Sequence, residues 1–320
     1  MAAHFLSVIM PVYNSERFVS KAIESILSQT YANFEFIIIN DGSTDKSNDI
    51  IYSYNDNRIK IINQKNMGLV SALNYGVKIA KGEWIARMDS DDIACENRFA
   101  EQIKYIDKNV AVIGTQAYLI DENDNAHGLT NLEVMNDKII SNILHHIPSM
   151  IHPTVLINRS KLLEIEGYDE KIEHAEDNDL WLRISTIGKI INIDKPLLLL
   201  RKHGNNISKT KLETAIINSY ISLAYHYRSH SKTKISNNEY NVLAEHYTKI
   251  LATLIKRTVS IENIKETLRS FSTKTKFVFI ISHPRALMNF VILKFERMRI
   301  LSMLKKSVLF FSLYIVPSML

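Results

Sequence analysis

Residues 6–45 read LSVIMPVYNSERFVSKAIESILSQTYANFEFIIINDGSTD. Two short and almost wholly apolar runs, Ser7 to Met10 and Phe34 to Ile39, flank an amphipathic stretch from Ser15 to Gln29. Runs of that length suit strands buried on both faces, and the stretch between them suits a helix packed across the pair. The alternation continues through Thr44 to Tyr54, Ile59 to Ile62, Gly68 to Ala80 and Trp84 to Met88. It predicts an α/β fold whose mostly parallel, Rossmann-like central sheet is covered by helices. Ligands of such sheets bind beyond the carboxyl ends of the strands. The segments found there are all polar: Pro11-Val12-Tyr13-Asn14, Asn40-Asp41-Gly42-Ser43-Thr44-Asp45 and Asp89-Ser90-Asp91-Asp92. Three loops are therefore expected to converge on one edge.

Asp89 and Asp91, one residue apart after a buried strand, place oxygen ligands around a hard cation such as Mg²⁺ or Mn²⁺. An isolated Asp-x-Asp is more often a solvated acidic turn, and it is the position after a strand that favours a site here. Asp41 follows the second strand directly, ahead of the Gly42 turn and the Ser43-Thr44 cap, where a carboxylate can accept from a base N–H. Glu176-Asp177 opens a helix whose Leu180, Trp181 and Ile184 recur at helical spacing, so Trp181 suits packing.

Six stretches occur in order: Pro11 to Asn14, Asn40 to Asp45, Asn66-Met67-Gly68-Leu69, Asp89 to Asp92, Glu176 to Arg183, and Arg201-Lys202-His203 with Ser208. On these the chain resembles the family 2 glycosyltransferases of GT-A fold, in their bacterial surface-polysaccharide form. The resemblance implies that Pro11, Tyr13 and Asp41 hold the nucleoside and that Asn14, Asn66, Gly68 and Ser90 belong to the nucleotide-sugar site. It further implies that Asp91 ligates Mn²⁺ or Mg²⁺, that Asp89 approaches the ribose or the metal, and that His203 adds a ligand or a diphosphate contact. Asp177 would be the general base of an inverting transfer from a UDP-sugar, giving a β-linked product, and Glu176 would orient a substrate. His152 and Trp181 are candidates for the acceptor side. The acceptor would be a saccharide, lipid-linked in surface-polysaccharide assembly. The chain departs from the family's pattern at Leu73, where many members carry arginine. Arg87 and Lys65 lie nearby in sequence and read equally well as solvated charges.

Composition fits this expectation. The 320 residues are 46% hydrophobic, enough for one substantial core plus an appendage. A single cysteine, Cys95, excludes an intrachain disulfide and a cysteine-based zinc site and suits a reducing cytoplasm. The first residues, Met1-Ala2-Ala3-His4-Phe5, lack a basic n-region, so a signal peptide is not expected.

Residues 1–210 carry 22 Lys/Arg against 28 Asp/Glu, whereas residues 211–320 carry 17 against 6. The acidic part argues against a nucleic-acid footprint. The basic part is expected to be a helical C-terminal region beginning near residue 211. Its stretch 285–306 has a basic amphipathic pattern that suits either peripheral contact with an anionic membrane at the inner face or a homo-oligomer interface. Three other functions fit these residues less well. A nucleotidyltransferase needs a Gly-rich basic loop after the first strand and a dehydrogenase needs G-x-G-x-x-G; Pro11 to Ser15 has neither. A non-catalytic nucleotide-binding member has no need of Asp89, Asp91 and Asp177 together.

Overall fold

A computed structural model describes residues 4–144, 147–203 and 212–229, together with 234, 235 and 237. Met1–Ile143 and Ile147–Ala252 form one compact unit. Leu144–His146 and Thr253–Leu320 form a second, of which only Leu144 is described. The basic stretch 285–306, His145, His146 and Ser208 thus lie outside the described residues.

Strands β1 (Leu6–Val12), β2 (Phe34–Asp41), β3 (Ile59–Gln64) and β4 (Trp84–Arg87) are mutually parallel in the order β3-β2-β1-β4. All seven residues of β1 are buried, because both faces are covered. Leu6, Val8, Met10 and Val12 join a core with Val19, Ala22, Ile23 and Ile26 of helix α1 (Val19–Leu27), an i, i+3, i+4, i+7 stripe. Helix α2 (Ser47–Tyr52) adds Ile51 to that core. Ile9 faces the other way, toward helix α3 (Leu69–Ile79), where a Cβ on Gly76 would stand 2.6 Å from Ile9 Cγ2.

Beyond β4 the sheet becomes mixed. The remaining strands are β5 (Ile93–Ala94), β6 (Val110–Ile120), β7 (Ala126–Leu129), β8 (Leu156–Asn158) and β9 (Lys189–Arg201). The path continues β4-β8-β6-β9-β5, with β7 beside β6. Only the β6/β9 pairing is parallel in this half; β8 runs antiparallel to β4 and β6. The stretches 189–193 and 197–200, separate in the sequence reading, are one strand. It tolerates Pro196 because the register shifts beside Gln116, its partner, and an irregularity needs no ladder N–H there.

Helices α4 (Arg98–Gln102), α5 (Asn136–Leu144), α6 (Arg159–Glu164), α7 (Glu176–Ile184) and α8 (Leu212–Ser229) complete the described chain. α7 is held at both ends. Asp179 accepts from Ser222 Oγ of α8 at 2.7 Å and from Arg183 Nε at 2.7 Å, and Arg183 Nη1 donates to the carbonyls of Ile165 and Gly167 at 2.8 Å each. Asn218 Nδ2 of α8 donates to the Glu173 carbonyl at 2.8 Å. The first unit therefore continues past position 210, where the sequence pattern changes, and α8 braces the segment that presents Glu176 and Asp177. Among the described residues no helix is long and apolar enough to cross a membrane.

Candidate active site

The carboxyl ends of β1, β2 and β4 open onto a cleft of about 1280 Å³. Short polar bonds stitch their loops together. Asn14, at a positive φ of 49°, accepts from Thr44 N at 2.8 Å, while its own N donates to Ser43 Oγ at 3.1 Å. Ser15 Oγ lies 2.7 Å from Ser90 Oγ, tying the first loop to the third. Asp41 accepts from Gln64 Nε2 (2.7 Å), Met67 N (2.9 Å) and Gly68 N (2.9 Å), which secures the loop that opens α3. Glycine is needed at one point on each of the two loops that meet here. Gly68 has φ 87°, and a Cβ on Gly42, at φ 73°, would meet Asn66 N at 2.6 Å. Tyr13 is 49% exposed and presents its ring at the cleft.

The third loop carries the charge. Single carboxylate oxygens of Asp89, Asp91 and Asp92 lie within 4.8 Å of one another. Burial, and then the neighbouring Asp89, push the Asp91 carboxyl above the ordinary range, although His203 Nε2 at 2.9 Å from Oδ2 opposes this. Asp92 is pushed well above it by burial and by Asp91 and Asp89. Its Oδ1 accepts from Arg201 N at 2.7 Å, while the buried Oδ2 has no hydrogen-bond partner among the described residues. Three clustered acids, two with raised carboxyls and one of these with an orphaned oxygen, form a donor set that fits a hard divalent cation. His203 is steadied by stacking on Phe18, with ring centroids 5.3 Å apart.

Glu176 and Asp177, in the first turn of α7, reach the same cleft. Burial and the adjacent Asp177 raise the Glu176 carboxyl to about 8, and burial raises Asp177 as well. Glu176 is buried and Asp177 half-buried at the cleft they share with the acidic loop, a setting in which acid–base groups of enzymes have shifted pKa values.

All the candidate residues except Trp181 line this one cleft. Trp181 is 1% exposed, in the core on the far side of His152, with ring centroids 5.8 Å apart; its assignment to the acceptor side is corrected to packing. His152 is itself 7% exposed and bonded to Tyr168 Oη at 2.8 Å, and burial holds its imidazole well below its usual range. Leu73 is a core residue of α3 and does not line the cleft.

Two residues gain roles that the sequence reading left open. Asp92, earlier without one, receives the backbone of Arg201. Arg87, read as equally a solvated charge, is 3% exposed, lines the cleft and pairs with Asp89. The missed signal is a cation inside the otherwise apolar run Trp84 to Met88, a run short enough to be buried along its whole length.

With this geometry, likeness to known proteins takes on a definite meaning. The model of the family described as glycosyl transferase family 2 matches residues 7–165. An uncharacterised glycosyltransferase of Methanocaldococcus jannaschii is 33% identical over 243 residues, covering 73% of this chain and 83% of its own length. The chain belongs to glycosyl transferase family 2. This family 2 enzyme is also 30% identical over 244 residues to chondroitin synthase of Pasteurella multocida, 74% of this chain and 24% of that larger protein. In fold it is similar to S. aureus TarS in complex with UDP-GlcNAc, with TM-score 0.60, 18% identity and coverage of 83% and 79% of the two chains. The family match stops at residue 165, before α7, so Glu176 and Asp177 enter the site through the fold.

The raised Glu176 carboxyl predicts a stability effect with a defined sign. A carboxyl whose folded pKa exceeds its unfolded value binds more protons when folded, so stability falls as pH rises from about 4.5 to about 8. Glu176→Gln removes that loss. Its melting temperature in EDTA should match the wild type near pH 4.5 and exceed it increasingly up to pH 8.5. A constant offset across that range would contradict the assignment.

Proposed function

We propose that this glycosyltransferase moves a sugar from a UDP-sugar to a saccharide hydroxyl with inversion at the anomeric carbon, using Mn²⁺ or Mg²⁺. The observation that carries the reading is the meeting of two acidic groups in one cleft, Asp89-Ser90-Asp91-Asp92 from the sheet edge and Glu176-Asp177 from α7. Asp91 and Asp89 would hold the cation, with His203 beside Asp91. When bound, the cation neutralises charge on the diphosphate leaving group.

The remaining work falls to the protein's own groups. Tyr13 offers a ring face for a base and Asp41 a carboxylate beside it. Asp177 takes the proton from the acceptor hydroxyl as it attacks, and Glu176 orients the hydroxyl. Attack from the face opposite the leaving nucleotide inverts the centre, so an α-linked UDP-sugar gives a β-linked product. The UDP-GlcNAc in the TarS structure supports the choice of a UDP-sugar. The basic amphipathic pattern of residues 285–306 supports a lipid-linked acceptor in surface-polysaccharide assembly, met at the inner membrane face.

The test is UDP release from a panel of UDP-sugars with Mn²⁺ or Mg²⁺ and with EDTA. Metal-dependent release from at least one donor is expected, and no release from any donor with either metal would overturn the reading. Tyr13→Ala should weaken UDP binding about fivefold or more, since stacking of a base on an aromatic ring contributes about 1–3 kcal/mol. Calorimetric titration with UDP measures this, and an unchanged Kd would remove Tyr13 from the base site.

A further inference from the structure

Arg87 is fixed by its backbone and loaded at its side chain. Its N donates to the Val155 carbonyl at 3.0 Å, and its own carbonyl accepts from Arg98 Nη2 at 2.9 Å. The guanidinium is buried at the cleft wall with Nη1 paired to Asp89, and its buried Nε has no hydrogen-bond partner among the described residues. Its charge acts on both acidic groups, lowering the Asp92, Glu176 and Asp177 carboxyls against the rise caused by their burial. It also acts with burial to keep His152 from taking a proton. Arg201, the other buried arginine of the cleft, directs its Nε to the Asp91 carbonyl and its Nη1 to Asp121 O and Asp124. Arg87 thus pairs with Asp89 and lines the same cleft as Glu176 and Asp177.

We infer that Arg87 is a positioning residue for sugar transfer, a buried cation shared by the donor-side Asp89 and the acceptor-side Glu176-Asp177 pair that sets the two halves of the site against each other. The inference rests on the transferase reading above. A guanidinium suits the task because it keeps its charge when buried and can engage groups on two sides through separate N–H donors. If the side chain only filled space, methionine of similar reach would serve as well; because it leaves Asp89 without its partner, UDP binding is read alongside kcat to separate lost folding from lost positioning.

The experiment compares Arg87→Met and Arg87→Lys with the wild type, using the UDP-sugar that gives the wild type its fastest UDP release. Arg87→Met is expected to lose at least a hundredfold in kcat while its Kd for UDP in EDTA, which reads folding and the Tyr13 end of the cleft, stays within threefold. Arg87→Lys is expected to recover at least tenfold of the lost kcat. Wild-type kcat in Arg87→Met, or equal loss in both variants with UDP binding intact, would overturn the inference. Should Arg87→Met fail to bind UDP, the Lys variant decides: a kcat below one hundredth of wild type with normal UDP binding overturns it, and a higher value supports it. Asp177→Asn run alongside separates the two levels. Full activity there removes the general-base role of Asp177 on which the proposed function rests, whereas an inactive Asp177→Asn with an active Arg87→Met removes the role of Arg87 alone.

Discussion

Asp177→Asn is expected to lower sugar transfer by about 10²–10⁴-fold, the range that general base catalysis contributes, while leaving UDP affinity unchanged. Asparagine keeps the size of the side chain and the oxygen that accepts from Asn178 N at 2.7 Å, so the first turn of α7 should persist. What is lost is the ability to take a proton. The pH profile gives a second readout. Burial raises the Asp177 carboxyl, so the wild-type rate should fall as pH drops through a value above the usual aspartate range, because the group must be ionised to act. In Asp177→Asn the residual rate should lack that acidic limb. Single-turnover transfer measured from pH 4.5 to 8.5 checks both statements, and a variant that keeps the wild-type rate and limb would strip Asp177 of its role.

The parts of this fold legible in the sequence are those in which burial imposes a period. β1 and β2 are covered on both faces and read as apolar runs, and α1 between them shows the stripe 19, 22, 23, 26. Their polar ends then locate the cleft, because a parallel sheet exposes all its loops of one kind along one edge. The less legible parts lack such a period. β7 is exposed at all four residues, so no apolar alternation marks it. β9 looks interrupted because Asp194-Lys195-Pro196 crosses a register shift.

Side-chain roles were harder to read than positions. Asn14 and Asp41 reach the cleft as expected, yet both also spend hydrogen bonds on joining loops, and no residue type reveals that division of labour. Arg87 stays open in the sequence between a contact and a solvated charge, because charge alone suggests solvent. Only the four-residue length of β4, buried throughout, places that charge inside. Trp181 erred in the opposite sense: it neighbours the motif in sequence, but helical geometry turns it toward the core.

Asp91→Asn is expected to abolish the effect of metal on UDP binding and to lower the metal-supported rate by about a thousandfold. A cation's stabilisation of developing charge amounts to several kcal/mol, and roughly 1.4 kcal/mol corresponds to a factor of ten. Asparagine retains an oxygen to accept from His203, so the stacked pair of His203 and Phe18 should keep its place. The same substitution should stabilise the metal-free protein. The folded pKa of Asp91 lies above its ordinary value, so the wild type loses stability as pH rises through the interval between the two, and the variant has no such proton to lose. In EDTA its melting temperature should exceed the wild type's at pH 8 and match it near pH 3.5, where the carboxyl is protonated folded or unfolded. Mn²⁺ should reverse the order at pH 8, because binding to the native wild type adds stability that the variant cannot gain. Calorimetric titration of UDP with and without Mn²⁺, paired with melting curves, reads both effects. Undiminished enhancement of UDP binding by Mn²⁺ in the variant would move the cation away from Asp91, and a variant less stable than wild type in EDTA at pH 8 would show that the acidic cluster is not held against its own repulsion.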